Sequence, residues 1–537
     1  MMSFTEDLTI TLSLKIAGTI YKIPASDVKS LELDLHTYGF NGEISFIIAC
    51  EESVDTLLPA IRQDDLIEIL LQVETARIPP KAISIPLNLS GLVTLRSFSE
   101  QTLTNVLPTQ TLMLNRHYHL EFADPAQVLW KQHHPCDLFT DSTLQTLIAA
   151  HCGEKIDLTY DWEILQVEHP VLSLSLGAPT NHASFYDYII WLVDTHNGVF
   201  SYDLTTNQYS LTATKNSSSE TRSLDPFEVA KLKTEFPEVL RYQANVLNAY
   251  VDTPKTTNVD NEQLIAPIRR DHIDRYPIAS NMQARGTLET ARFKQRLHEV
   301  SVEYQKFQLK VTPPNQSVDF LGSPAWNASL FNQDKSYCVR EWHLSAYWQK
   351  QGDIPNHSIY EIEHSLKLES SEELWVDLPI YTQPVYPVFV EGKLVCEQGE
   401  ETETPYQFYT DTNTSIDYYL VSIPLWENKQ VRTSFQPNMD TGQFYFPRYK
   451  KAKVLVGLNF DNAFIDRFLD WENGAALPQD SQGNQLVMGK STTSKNIIKH
   501  TYVDSKPDLQ IERTEEKDTE LLQFSDGYII LRTQLEE

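Results

Sequence analysis

The side chains that could bind a metal or move a proton are few and scattered along this sequence. His133-His134-Pro-Cys136 gathers three metal-binding side chains in four residues, but a zinc site needs a second ligand cluster and none stands near it in sequence, so the run is read as a loop before a helix. His117 and His119 stand two apart on one strand face and also lack companions. Asp461, Asp466 and Asp470 invite a paired-carboxylate reading, yet this spacing fits solvated turn residues better. There is no Gly-x-Ser-x-Gly turn, no cysteine in an activating neighbourhood and no glycine-rich phosphate cradle among the 18 glycines. An enzyme reading rests on Trp342, Tyr347, Trp348 and Trp375, which lie near acidic residues and could form a carbohydrate platform; as core or interface aromatics they need no substrate. The expectation is therefore no catalytic, cofactor-binding or metal-binding residue, and no cofactor.

Composition narrows the classes further. At 537 residues the chain has material for three to five domains on a prior of roughly 100 to 200 residues each. The formal charge of -29 argues against nucleic acid or an anionic membrane as resting partner. Five cysteines, Cys50, Cys136, Cys152, Cys338 and Cys396, are odd in number and unpaired in spacing, which suits a reducing compartment. Asn88-Leu-Ser90 and Asn327-Ala-Ser329 match glycosylation acceptors, but a chain expected to carry no signal has no route to the modifying enzymes. The opening Met-Met-Ser-Phe-Thr-Glu-Asp has neither a basic segment nor an apolar run, so synthesis without a signal peptide is expected. No stretch approaches the roughly 18 apolar residues of a membrane span.

The elements that would position any site are mostly strands. Alternation over Leu8–Ile16, Leu31–Leu35, Gly42–Ile48, Leu66–Leu71 and Leu89–Leu95 predicts an antiparallel barrel. Between Leu112 and Leu211 the character changes. His117–Pro125 reads as a strand ending in a turn, Asp141 or Ser142 as the N-cap of a helix carrying Leu144, Leu147 and Ile148, and Ser184–Leu192 as a second helix stopping at Asn197-Gly198. The spacing of Leu288, Ala291, Leu297 and Val300 predicts one amphipathic helix over 288–300, after a polar segment Thr253–Asp274. Strands are expected again at Tyr304–Val311, Ser336–Trp348 and Ile359–Leu374.

From Val385 onward, short β-branched and aromatic runs such as Val385–Val395, Tyr419–Trp426 and Ala452–Phe460 read as a small antiparallel barrel. A tail follows in which Asn496–Val503, Asp508–Arg513, Leu521–Phe524 and Tyr528–Thr533 alternate with no helix to cover them. Such a ribbon leaves an apolar face and two hydrogen-bonding edges open, and identical copies wound about one axis would close both.

A barrel leading into such a ribbon resembles the hub-spike proteins of contractile injection systems, the VgrG and phage tail-spike family. The likeness is carried by Phe446-Pro-Arg448, then Val454–Leu458, an acidic turn through Asp461 and Asp466, and Asn484, Leu486 and Val487. It is carried also by Ser184, Asp187, Tyr188, Leu192, Gly198, Phe200 and Tyr202 in a helix-to-hairpin unit. The resemblance implies a mainly β chain with a small α/β insertion: a first hub β-barrel at 1–111, an α/β domain at 112–228, a second hub β-barrel at 229–384, an OB-fold barrel at 385–475, and a linker with a short intertwined trimeric β-prism or β-helix at 476–537. Three chains would then place six similar barrels in a ring, matching a sixfold tube to a threefold spike. The implied partners are the chain itself as homotrimer, tail tube and baseplate proteins, a spike-tip (PAAR-like) protein and effector cargo, with no nucleic acid. The implied setting is an injection particle deployed outside the cell.

Candidate trimer-core residues are Ile497, Ile498, Tyr502, Val503, Leu509, Ile511, Leu521, Leu522, Phe524, Ile529, Ile530 and Leu531, with either member of each alternating pair free to face inward. The needle is shorter than is usual in the family, 399–414 looks like a long barrel loop, and the dozen or so residues from Gly474 to Val487 leave no room for a lysozyme domain. The competing readings are a carbohydrate-active enzyme and a receptor-attachment protein on a multi-domain β scaffold.

Overall fold

The computed structural model describes residues 2–50, 55–103, 113–216, 220–250, 256–276, 279–294, 296, 298–320, 326, 329, 336–352, 357–397, 409–412, 417–434, 450–469 and 483–535. The chain is mainly β and forms two compact units: residues 1–135, 148–167 and 179–384 in one, and 136–147, 168–178 and 385–537 in the other.

In the first unit the alternating apolar residues do what period 2 demands. Leu8, Ile10, Leu12 and Leu14 are buried, as are Leu31, Leu33 and Leu35, and Ile69, Leu71 and Val73. Their strands pair antiparallel in a ring. Ser3–Ile16 pairs with Ile67–Thr75, and the order continues through Leu87–Leu103, Met113–Ala123, Gly39–Cys50, Val28–His36, Tyr337–Gln351 and Ser358–Ser370 back to Ser3–Ile16. The long hairpin formed by the last two strands also carries further strands. Glu299–Tyr304 and Val229–Glu235 extend from Ser358–Ser370, and Ser317–Phe320 and Arg222–Leu224 from Tyr337–Gln351. Both groups of hub strands thus belong to one thirteen-stranded sheet.

Two expectations are corrected here. The helix expected at 288–300 lies earlier, at Ala279–Arg292, and Glu299–Tyr304 is a strand. Val300 pairs with Leu368 and with Thr234, and Val300, Val302 and Tyr304 are all buried, so the period-2 pattern prevails over the 3.6-residue one. The strand expected from Tyr304 to Val311 accordingly ends at Tyr304. The polar segment Thr253–Asp274 contains the strands Thr256–Val259 and Arg269–Asp274, which flank Gln243–Asn248 in a small sheet.

The α/β elements of this unit explain the motif read from the sequence. Ser184 and Asp187 form a reciprocal capping box on the helix Phe185–His196. Tyr188 and Leu192 are buried, and Asn197 ends the helix in the left-handed conformation. A side chain at Gly198 would place its Cβ 2.3 Å from the Trp162 ring, so only glycine fits. Phe200 stacks on Tyr209 at 5.6 Å, and Tyr202 lies 4.6 Å from Tyr209. Tyr209 donates to the buried carboxylate of Asp124, which also caps the helix Pro125–Trp130 by accepting from the Gln127 N–H. A further correction concerns the helix Leu144–His151. Its cap is Thr143, whose Oγ1 accepts from the Thr146 N–H, while Asp141 and Ser142 remain in the strand Cys136–Thr143.

In the second unit five strands close a barrel. Val388–Val395 pairs with Asp417–Ile423 and with Lys453–Leu458; Lys429–Ser434 pairs with Asp417–Ile423 and, in parallel, with Ala463–Phe468, which returns to Lys453–Leu458. First strand to second and fourth, and third parallel to fifth, is the OB arrangement. Its interior is Val421, Ile423, Val431, Val454, Val456 and Leu458, joined by Leu138 and Val171 from the hairpin of Cys136–Thr143 with Glu168–Ser175. Phe446-Pro-Arg448 and most of 399–414 lie outside the described residues.

A carboxyl group of the first unit offers a direct test of this packing. Glu228 accepts from the Leu309 N–H at 3.0 Å, near Glu6, which accepts from the Phe307 N–H. Burial pushes the Glu228 carboxyl up to about 7, with Asp225 and Glu6 adding to the rise against the Leu309 hydrogen bond and Lys306. The folded chain therefore holds this proton more tightly than the unfolded chain, and the contribution of Glu228 to stability falls as pH rises from its unfolded value near 4.5 through about 7. Glu228→Gln keeps the acceptor for Leu309 and removes the ionisable group. Melting curves should show the variant more stable than the parent at pH 8, with the difference shrinking toward pH 5; an equal difference at both would contradict the buried-carboxyl account.

Candidate assembly surface on the carboxy-terminal ribbon

The last five strands, Asn484–Ser491, Ser494–Val503, Lys506–Glu515, Asp518–Ser525 and Tyr528–Gln534, form an antiparallel meander. The last three of the four turns between them use positive φ, supplied by Asp504, Ser505, Glu516, Asp526 and Gly527. Among the described residues neither outer strand, Asn484–Ser491 nor Tyr528–Gln534, has a second partner strand.

Directly paired residues of an antiparallel sheet share a face, so the register sorts the side chains without ambiguity. One row runs Leu486, Ile498, Ile511, Leu522, Leu531 across all five strands. The neighbouring row on the same face is Asn484, His500, Leu509, Phe524, Ile529, and Tyr502 lies beyond it on this face. A third row, Met488, Asn496, Arg513, Glu520, Thr533, is polar and carries the Arg513–Glu520 ion pair at 3.0 Å. The face is apolar over two rows and closes toward the other end with charge.

The opposite face bears Val487, Ile497, Leu521, Ile530 and Val503 among Lys495, Lys499, Asp508, Gln510, Glu512 and Gln523. It is the better covered of the two. Asp508 is fully buried and accepts from the Gln510 and Gln523 side-chain amides at 2.7 and 2.6 Å; the Gln523 bond above all holds its carboxyl below the usual range. Ile497 is buried on this side, while Ile498, Leu509, Ile511, Phe524, Ile529 and Leu531 on the other are exposed.

Of the twelve candidate core residues, eight therefore share the exposed apolar face: Ile498, Tyr502, Leu509, Ile511, Leu522, Phe524, Ile529 and Leu531. Ile497, Val503, Leu521 and Ile530 lie on the polar side. Alternation alone could not choose between the faces, because both carry apolar residues in several strands. The register across five strands sorts the twelve by face.

The residues singled out for chemistry are not brought together as a site. His133 lies 3.1 Å from His151 and packs on Phe185, His134 bonds to the Ala183 carbonyl, and Cys136 is exposed. Asp461 sits in a turn, Asp466 is on the strand Ala463–Phe468 beside Arg467 at 2.7 Å, and Asp470 is outside the described residues. Trp342 is buried and donates to Gln308, Trp348 is covered by Lys29 at 4.1 Å, and Trp375 lies under Arg296 at 4.3 Å. Among the described residues no group of three or more His, Cys, Asp or Glu side chains could hold a metal, and no helix is long and apolar enough to cross a membrane.

Comparison with known proteins places this architecture. No protein-family model and no curated protein sequence matches the chain. A solved chain from a PdpA-VgrG complex in its lidless form superposes over 100% of this chain and 99% of its own, with TM-score 0.70 at 13% identity. The lidded Francisella PdpA-VgrG complex gives 98% and 80% with TM-score 0.69 at 13% identity, and the half-lidded form 98% and 88% with TM-score 0.68 at 14%. The chain therefore shares its fold with the chains of these PdpA-VgrG complexes.

Ile511 and Leu522 are paired directly at the centre of the exposed face. Replacing both by Asp should abolish self-association of the full chain while leaving its circular dichroism unchanged; Thr514→Asp on the opposite face should leave the mass unaltered. Equal behaviour of the two variants in sedimentation would show that the apolar face is not the contact.

Proposed function

We propose that this chain is a structural hub and spike at the tip of a contractile injection machine, working as a homotrimer. The observation that carries the reading is the ribbon's exposed apolar face with two open edges, at the end of a chain whose fold follows the VgrG type over its whole length. Covering a half-exposed Leu or Ile is worth about 1 kcal/mol, so the six Leu and Ile residues among the eight, with Tyr502 and Phe524 beside them, on each of three chains supply ample driving force for winding. Pairing of outer strands between copies then satisfies the open N–H and C=O groups, leaving no loose edge to yield under load.

In this reading residues 1–111 and 229–384 build the two hub barrels with the α/β insertion 112–228 between them, 385–475 form a collar, and 476–537 the needle. Six hub barrels in three chains meet a sixfold tail tube, baseplate proteins surround the hub, and a PAAR-like tip protein completes the short needle. Sheath contraction drives the tube, and the needle concentrates the force on a small area of the target envelope. Effector cargo rides on the same assembly. The chain acts without catalysis or cofactor, and the acidic surface keeps it from binding nucleic acid. It is made in the cytoplasm and deployed outside the cell within the particle.

Light scattering behind a sizing column tests the central claim. The full chain should run at three times 61.7 kDa, and a chain ending at residue 483 should run at 61.7 kDa less the removed ribbon. A full-length monomer would overturn the spike reading and favour attachment or enzymatic roles.

A further inference from the structure

A cavity of about 260 Å³ in the first unit is lined by Asp194, Tyr242, Ala244, Arg270, His272, Glu289, Arg292, Phe293 and Lys294. It forms where the helix Ala279–Arg292 packs on the sheet of Gln243–Asn248, Thr256–Val259 and Arg269–Asp274. Arg270 and His272 are two apart on one strand and so share the face turned to the helix. Ala244 is the register partner of Arg270 and leaves room beside it. Tyr242 and Phe293 meet edge to face at 5.5 Å.

Charge is the telling feature. Four cations, Arg270, Arg285, Arg292 and Lys294, stand at or beside the cavity in a chain of net charge -29, against two carboxylates. Both carboxylates are already committed. Glu289 takes Arg285 at 2.7 Å, His272 at 3.1 Å and Arg292 at 3.3 Å. Asp194 accepts from the Tyr381 hydroxyl at 2.7 Å and reaches Arg292 only at 3.7 Å. Arg270 and Lys294 make no ion pair among the described residues. The crowding acts on the titrating groups: burial lowers Lys294, with Arg292 and Arg296 pushing the same way against Asp194 and Asp377, and burial lowers His272, with Arg285, Arg270 and Arg292 adding to it against Glu289.

We infer that this cavity is a binding site for a small free oxyanion of the phosphate class, held by the Arg270 and Arg292 guanidinium groups and the Lys294 ammonium. Guanidinium forks match tetrahedral and planar oxyanions with paired N–H donors, and a lysine adds a point charge. The volume admits one such group with its water, whereas the overall negative charge of the chain opposes approach of an acidic macromolecule. A bound anion would neutralise the cations and fasten the helix to its sheet. This inference does not depend on the spike reading.

Isothermal titration of the full chain with inorganic phosphate at low salt tests it, with an Asp/Glu-rich peptide as the second arm. One saturable site per chain, weakened at least tenfold in Arg270→Ala and in Lys294→Ala, is the expected result. Arg270 is exposed and Lys294 makes no ion pair among the described residues, so both variants should fold, and their melting temperatures in phosphate-free buffer check this. No phosphate binding, or binding unchanged in both variants, overturns the proposal. Binding of the peptide without phosphate would also overturn it, assigning the cavity to an acidic protein segment. Loss of phosphate binding in a chain that still forms trimers would leave the spike reading intact.

Discussion

The long antiparallel hairpin between Tyr337 and Ser370 is the constraint on which the first unit rests. Its far half pairs with Val28–His36 and Ser3–Ile16, while the half nearer Tyr337 and Ser370 carries the strands of the other hub group. Neither group closes without it. Within the one sheet the hairpin changes partners along its length, and its own pairing carries register shifts at Val339/Glu341 and Trp348/Lys350. At its centre Trp342, His364 and Tyr304 pack ring to ring, and Gln308 is bonded to all three: it accepts from the Trp342 indole, donates to the Tyr304 hydroxyl and lies 3.3 Å from His364. Burial pulls the His364 imidazole down to about 4, so the knot stays neutral and saturated across physiological pH.

Next to this neutral knot the same hairpin holds charge. Lys215 and Glu369 form a fully buried pair at 2.6 Å, Arg296 joins Glu369, Glu299, Glu373 and Asp377, and Arg340 bridges Glu299 and Asp377. Three cations stand among four principal carboxylates, with Arg296 and Arg340 each holding more than one carboxylate and Glu369 shared by Lys215 and Arg296. Removing one partner of such a pair typically costs about 3–5 kcal/mol, whereas the intact pair gives little net stability. This network ties Glu299, at the start of the strand Glu299–Tyr304, to the Tyr337–Ser370 hairpin through Arg296 and Arg340. It also accounts for the failure of the helical reading of 288–300, since Arg296 must reach Glu369, Glu373 and Asp377 across sequence, a demand that local periodicity does not display.

Much of the fold was legible because period-2 patterns and turn residues are local signals. The barrels, the Ser184–Asp187 capping box, the Asn197-Gly198 stop and the strands of the ribbon follow from side-chain alternation and capping chemistry that any isolated segment shows. What escaped was non-local. That Tyr337–Gln351 and Ser358–Ser370 complete a ring begun at Ser3, or that Cys136–Thr143 and Glu168–Ser175 leave the insertion to pack Leu138 and Val171 with the OB barrel, depends on pairings hundreds of residues apart. The cavity at Arg270 and Arg292 was illegible for the same reason, because the polar stretch supplying Arg270 carries no apolar rhythm and its strand is defined only by its partner Gln243–Asn248.

The ribbon turns this distinction into an argument about assembly. A sheet that was to remain alone would place its charged face outward and its apolar rows beneath cover. Here the arrangement is reversed: Asp508, Gln510 and Gln523 satisfy one another on the better-covered face, and Ile498, Ile511, Phe524 and Leu531 stand in solvent on the other. Exposed apolar rows spanning five strands, together with two open edges, are an aggregation hazard unless the sequence specifies what covers them. A face-to-face dimer would cover the apolar rows but leave the outer strands unpaired. The threefold winding proposed above would answer both needs at once, turning the apolar rows to a common axis and pairing each outer strand with that of a neighbouring copy.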